Sequence, residues 1–196
     1  MPSVRRRGQV LKEAIYEATL KLLDEGTYKD VTFNNVARLA KTSRSVLYNN
    51  WATPFDLLID ASRWQVLKNR KSIMEQEFDN GNLRSDLIEL GRHFLANSLA
   101  YPKKFLGAFL YELSQNNGTQ KMLDEELKTN NLAIMSQIIE KAMLRKEITK
   151  PINDLTKLLL FEVLRYHAII LQDNVDENFI IEFIDSILLP ALTNDK

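Results

Sequence analysis

Apolar residues recur every three or four positions along most of the chain, and no stretch shows the strict alternation of a half-buried strand. From Gln9 to Glu25 the apolar positions are Val10, Leu11, Ala14, Ile15, Ala18, Leu22 and Leu23, with Gly26 placed to cap the end. Thr32 suits the N-cap of a second helix carrying Val36, Ala37, Leu39 and Ala40. Ser43 suits the cap of a third, with Val46 and Leu47 facing inward. Thr53 opens a fourth: Pro54 takes the first helical position and Asp56 stands where a capping box wants an acid. After a turn at Asn80–Gly81–Asn82 the spacing predicts helices over about 84–99, 102–113, 121–145, 152–171 and 177–189, the last ending before Pro190. The expected fold is all-α, with about nine helices.

The first three helices span about forty residues, too few for a generous core of their own. We therefore expect an N-terminal three-helix domain over residues 1–52 and a larger helical body over 53–196. No glycine- or proline-rich linker separates them, so firm contact is expected.

The second and third helices are short and joined by a few small polar residues, as in a helix-turn-helix. Such a motif lays its second helix in the major groove. With Val46 and Leu47 turned inward, Arg44, Ser45 and Asn49 point away, and Thr42 and Ser43 flank the helix start. Arg44 suits guanine or a phosphate, and Asn49 suits adenine or the backbone. Ahead of the first helix, Arg5, Arg6 and Arg7 form a basic arm suited to a minor groove or to phosphates.

Charge sharpens this picture. The 196-residue chain has 26 basic and 26 acidic side chains and a net charge of zero. Yet residues 1–50 hold nine Lys or Arg against five Asp or Glu, so a basic front precedes a mildly acidic body. Cysteine is absent, which removes disulfides, thiol nucleophiles and cysteine-bound metals and fits a reducing, cytoplasmic setting. No apolar run is long enough for a signal peptide or a membrane span, so no membrane association is expected.

The stretch LLDEGTYKDVTFNNVARLA followed by SRSVLYNNWATPFDLL resembles the DNA-binding domain of the tetracycline-repressor (TetR/AcrR) family of bacterial regulators. The likeness covers about Ile15 to Leu58. Gly26 and Tyr28 match the turn after the first helix, and Thr32 the start of the second. Val46, Leu47 and Tyr48 match the recognition helix, and Trp51 replaces the family's phenylalanine. The resemblance implies that Tyr48 offers its hydroxyl to a DNA phosphate while its ring packs on the domain. It adds Thr32 and Lys41 to the expected DNA-contacting set. The chain also departs from the pattern. Lys41 stands where the family usually has glycine, so the turn is either slightly altered or takes left-handed backbone at a small strain cost while placing a cation near DNA. Thr42 replaces a valine, and Asn49–Asn50 replaces an aromatic pair, which removes the second aromatic's usual phosphate contact.

The resemblance further implies a homodimer on a roughly palindromic double-stranded DNA operator, released by a small-molecule inducer. For the dimer interface we expect the broad apolar faces of the last two helices: Leu158, Phe161, Leu164, Phe179, Phe183 and Ile187. For a ligand pocket the middle helices offer the apolar Trp64, Phe94, Phe105, Phe109, Tyr111 and Met135. His93, Asn97, Tyr101 and His167 supply polar handles. The side chains give no clue to an inducer's charge.

No enzyme chemistry is expected. His93 and His167 are the only histidines, and neither follows a glutamate by three positions as a helical di-metal site requires. No HExxH, phosphate-cradling glycine loop or serine elbow occurs. No metal or cofactor is expected. The rival reading is a helical protein-interaction module using a degenerate helix-turn-helix as a contact surface.

Overall fold

The computed structural model describes residues 8–68, 73–115, 119–171 and 173–193, without the side chains of Met74 and 119–127. The described residues are helical and contain no strand. The helices are α1 (Gln9–Glu25), α2 (Phe33–Ala40), α3 (Arg44–Tyr48), α4 (Pro54–Leu67), α5 (Leu83–Ser98), α6 (Phe105–Ser114) and α7 (Thr119–Leu144). α8 (Asp154–Arg165) runs on as a π-helical stretch over Tyr166–Leu171. α9 (Glu177–Phe183) continues through a second one, Ile184–Leu188, into α10 (Leu189–Thr193). Counting continuous rods, the described residues form nine helices, as the spacing predicts.

One boundary and one capping bond depart from expectation. The last rod passes through Pro190 instead of stopping before it. Proline removes one backbone donor and crowds the carbonyl four residues earlier. Here the preceding turn is already widened to π geometry, a common way for a helix to absorb such a defect. Ser43 holds the N-cap position of α3 with extended backbone, but its hydroxyl makes no capping bond. It pairs with the Ser45 hydroxyl at 2.8 Å. Thr32 and Thr53 do cap their helices, accepting from the Asn35 and Asp56 amides, and the Thr53–Asp56 capping box is complete.

The chain divides into two compact units, Met1–Arg70 with Tyr101–Asn117, and Lys71–Ala100 with Gly118–Lys196. In the first, α1 packs against both α2 and α4. Its core gathers Ile15, Tyr16, Val36, Leu47, Trp51 and Leu57. α6 belongs to this unit although it lies far along the chain. Phe105 and Phe109 pack on Phe55, with ring centroids 6.5 and 6.4 Å away. Lys104 donates to the Asp24 and Gly26 carbonyls at 2.6 and 2.8 Å, meeting the negative end of α1. The Tyr28 hydroxyl donates to Glu112 at 2.6 Å. Burial, then this bond to a carboxylate, pushes the phenol far above its usual range and keeps it protonated. Gly26 is required here for space rather than for left-handed backbone. A Cβ would lie 2.6 Å from the Asp30 carboxylate, which is held there by the Thr27 amide.

The second unit is built around Leu87, Leu90, Met135, Ile138, Phe161 and Ile184. Antiparallel α5 and the last rod meet through Arg84–Asp185, with bonds of 2.6 and 2.9 Å, and through Arg92–Glu177. Between these ion pairs Gly91 admits Ile180 so closely that a Cβ would sit 2.9 Å from its Cγ2. Gly91→Ala gains about 1 kcal/mol of helix propensity but costs about 1–3 kcal/mol in overpacking. Ile180 is only 1% exposed and has nowhere to turn, so the net effect is destabilising. Thermal melting of the variant checks this, with a lowered midpoint expected.

Candidate nucleic-acid interface

The head is assembled from short helices that cannot stand alone. α3 has five residues, far below the length at which an isolated helix is stable in water. Two side chains fix it from beneath. Leu47 is fully buried, and Trp51 packs edge-on to Tyr16 with ring centroids 6.1 Å apart. The Trp51 indole N–H donates to Asp60 of α4 at 2.9 Å, which sets the ring's orientation. The remaining surface of α3 faces out: Arg44, Ser45, Tyr48 and Asn49 are all exposed.

The α2–α3 turn depends on Lys41. Its φ of 55° and ψ of 49° are left-handed, the strained one of the two expected outcomes. A non-glycine residue there costs about 1–2 kcal/mol. Lys41 leaves its side chain in solvent beside Ser43, while Thr42 is half-buried and Thr32 is engaged in capping. Tyr48 is 64% exposed, yet its ring stands edge-on to buried Phe33 at 4.8 Å, so the phenol projects in a fixed direction. A recess opens between the first turn of α2, the Arg44–Tyr48 flank of α3 and the start of α4 at 52–54. Asn34, which the sequence reading passed over, lines it. Its signal was available: a polar residue on the first turn of α2 whose neighbours Phe33 and Val36 both point inward. Arg5, Arg6 and Arg7 lie outside the described residues.

The residues expected for a ligand pocket fall into two sets. Trp64, Tyr101, Phe105, Phe109 and Tyr111 belong to the first unit, and His93, Phe94, Asn97, Met135 and His167 to the second. Trp64 packs against the head's core, with its ring 5.7 Å from Tyr16. Met135 is a fully buried core residue, and Phe94 stands edge-on to Phe161 at 5.2 Å. His167 bonds Asp173 at 2.8 Å and packs on Phe179. His93 lies against Phe78 and lines an open cleft on α5 with Arg84, Glu89 and Arg92.

The residues expected to pair two copies divide likewise. Phe161, Leu164 and Phe183 are buried in the second unit's own core, Phe179 is partly buried against it, and Leu158 is buried as well. Ile187 alone of the six is exposed, at 53%. Spacing marks which face of a helix is greasy but not whether the same chain or another covers it. The outward apolar side chains of these rods are Leu155, Tyr166, Ile170, Leu171 and Ile187.

Among the described residues no cluster of three or more His, Asp or Glu is arranged to hold a metal. No described helix is long and apolar enough to cross a membrane.

A basic-fronted head with a solvent-facing helix held on an all-α frame defines a helix-turn-helix protein. No family model matches the chain. An uncharacterized HTH-type transcriptional regulator of Mycobacterium tuberculosis is 27% identical over 176 residues, covering 89% of this chain and 84% of its own length. A protein of Mycobacteroides abscessus described as the DNA-binding transcriptional repressor TetR is 22% identical, covering 93% and 94%. A solved Clostridium perfringens structure, assigned as a candidate fatty acid metabolism regulator, shares the fold. Its TM-score is 0.56 at 17% identity, over 91% of this chain and 96% of that one. Over most of its length the chain is thus similar to helix-turn-helix transcriptional regulators.

Proposed function

We propose that this regulator is a homodimeric repressor that occupies an inverted-repeat operator and is released by a small-molecule ligand. The observation that carries the DNA-binding part is α3, a helix too short to exist alone, anchored by Leu47 and Trp51 so that its polar flank meets solvent. Residues 1–52 would read DNA, with Thr32, Lys41–Ser45, Tyr48 and Asn49 at the contact surface and the arginine arm reaching further along the duplex. Residues 53–196 would hold the ligand and the second copy. Leu155, Tyr166, Ile170 and Ile187 supply the uncovered apolar surface for pairing. A two-fold dimer presents two copies of α3, and the operator then mirrors that symmetry. Ligand acts by binding better to a state whose half-site spacing no longer fits the duplex. The repressor described in Mycobacteroides abscessus supports the sign of regulation.

The test is selection of bound sequences from a random duplex library with purified protein at moderate salt. An enriched inverted repeat is expected. Folded protein that enriches nothing would overturn this reading in favour of a protein-interaction module.

A further inference from the structure

We propose that the recess between α2, α3 and α4 grips one backbone phosphate of the bound DNA through Asn34, Arg44 and the Tyr48 hydroxyl. Base reading then falls to the neighbouring flank of α3, Ser45 and Asn49. This inference rests on the DNA-binding reading above and deepens it.

The recess has the chemistry of a phosphate site. Its polar side chains are a guanidinium, a phenol, a carboxamide and the hydroxyls of Thr32 and Thr53, and none of its lining residues is a carboxylate. Arg44 and Tyr48 are four residues apart and share one side of α3, whereas Ser45 and Asn49 form the adjacent pair a third of a turn round. The edge-on packing of Tyr48 on Phe33 fixes where the phenol points.

The two adjacent asparagines are used differently. Asn35 is occupied within the protein: its amide donates to the Asp30 carbonyl at 2.9 Å and its oxygen accepts from Arg38 at 3.3 Å. Asn34 is exposed and lines the recess. Asn34, Arg44 and the Tyr48 hydroxyl have no hydrogen-bond or ion-pair partner among the described residues. Three free donors of different kinds therefore line one hollow, none of whose lining residues is an acid. Guanidinium suits a phosphate's paired oxygens, and a carboxamide and a phenol add two neutral donors beside it. All three side chains are exposed, so a free anion would be held weakly there. A duplex brings its phosphate in along with every other contact.

Fluorescence anisotropy on a selected duplex and on a random one tests this, with N34A, R44A and Y48F beside the wild type. Thermal melting of all three should match the wild type, because the side chains are exposed. N34A should weaken both duplexes alike, by about 2- to 12-fold, the scale of one hydrogen bond. R44A should also lower the salt slope by about 0.9, the signature of one neutralised phosphate. In a series of duplexes with single neutral methylphosphonates, one position per half-site should weaken the wild type, and the same substitution should cost each of the three variants less than it costs the wild type.

If N34A or R44A instead relaxes preference at one base pair while random-duplex affinity holds, the recess reads bases and the assignment falls. It falls equally if N34A matches the wild type on both duplexes. Wild-type protein that binds no duplex at all would remove the parent reading together with this one, a result distinct from an indifferent N34A.

Discussion

Arg145→Ala should destabilise the protein by about 3–5 kcal/mol, the cost of leaving a buried charge without its partner. Asp86 is completely buried near the start of α5, and Arg145 donates to its Oδ2 at 2.8 Å. The same guanidinium holds Glu147 at 2.6 Å and Asp79 at 3.0 Å, so a single side chain ties the end of α7 to α5 and the connection before it. Glu147 in turn accepts the Leu83 amide at 2.7 Å, satisfying the first free donor of α5. Removing Arg145 breaks three charge-assisted bonds at once. Asp86 would keep only Asn80, whose backbone amide lies 2.5 Å away. Since domains are stable by only about 5–15 kcal/mol, the loss is a large share of the total. Urea unfolding followed by circular dichroism measures it. The double variant Arg145→Ala, Asp86→Leu should recover part of the loss, because no carboxylate is then stranded. A double variant as weak as the single one would mean that packing of the arginine stem, not its charge, sets the cost.

The network also predicts a pH response. Burial pushes the Glu147 carboxyl up, but hydrogen bonds from Arg145 and the Leu83 amide more than offset this and hold it below the ordinary carboxylate range. A carboxyl depressed in the folded state stabilises above its unfolded pKa, and that contribution disappears as pH falls through the lower folded value. Arg145→Ala should therefore flatten the acid limb of the stability profile as well as lower its plateau.

Much of the helical frame was legible in the chain because caps and periodicity act locally. Thr32, Thr53–Asp56 and the run from Gln9 to Glu25 specify their elements with residues a few positions apart. At Lys41 the sequence marked where strain could fall, but not whether the turn would shift to avoid it; the left-handed backbone shows that it does not. What was not legible depends on distant partners. Nothing near Phe161 or Leu164 tells whether α5 or a second copy covers them, and the Arg145–Asp86 pair spans 59 positions. Membership of α6 in the first unit rests on Lys104 and Glu112 meeting groups about 80 positions earlier. Asn34 escaped notice because its value lies in what Arg44 and Tyr48 present beside it, not in its own spacing.

Leu47→Ala should remove duplex binding at concentrations where the wild type is saturated, although residue 47 touches no DNA in the proposed arrangement. Truncating a fully buried leucine costs about 2–5 kcal/mol, according to how far the site collapses. Here the cost falls on a five-residue helix with little of its own to hold it. The Leu47 carbonyl accepts the Asn50 and Trp51 amides, so a shift of this residue also loosens the exit from α3. Both tryptophans of the chain, Trp51 and Trp64, lie in the first unit, so their fluorescence follows the head. The Leu47→Ala transition by fluorescence should move to markedly lower urea. Tyr48→Phe provides the contrast. It changes an exposed group on the same helix, which leaves stability within about 0.5 kcal/mol and weakens binding modestly on all sequences. Affinity lost through Leu47 thus reports the frame, and affinity lost through Tyr48 reports the contact. Wild-type affinity in Leu47→Ala, with the fluorescence transition shifted as expected, would show that α3 is not the helix that meets DNA.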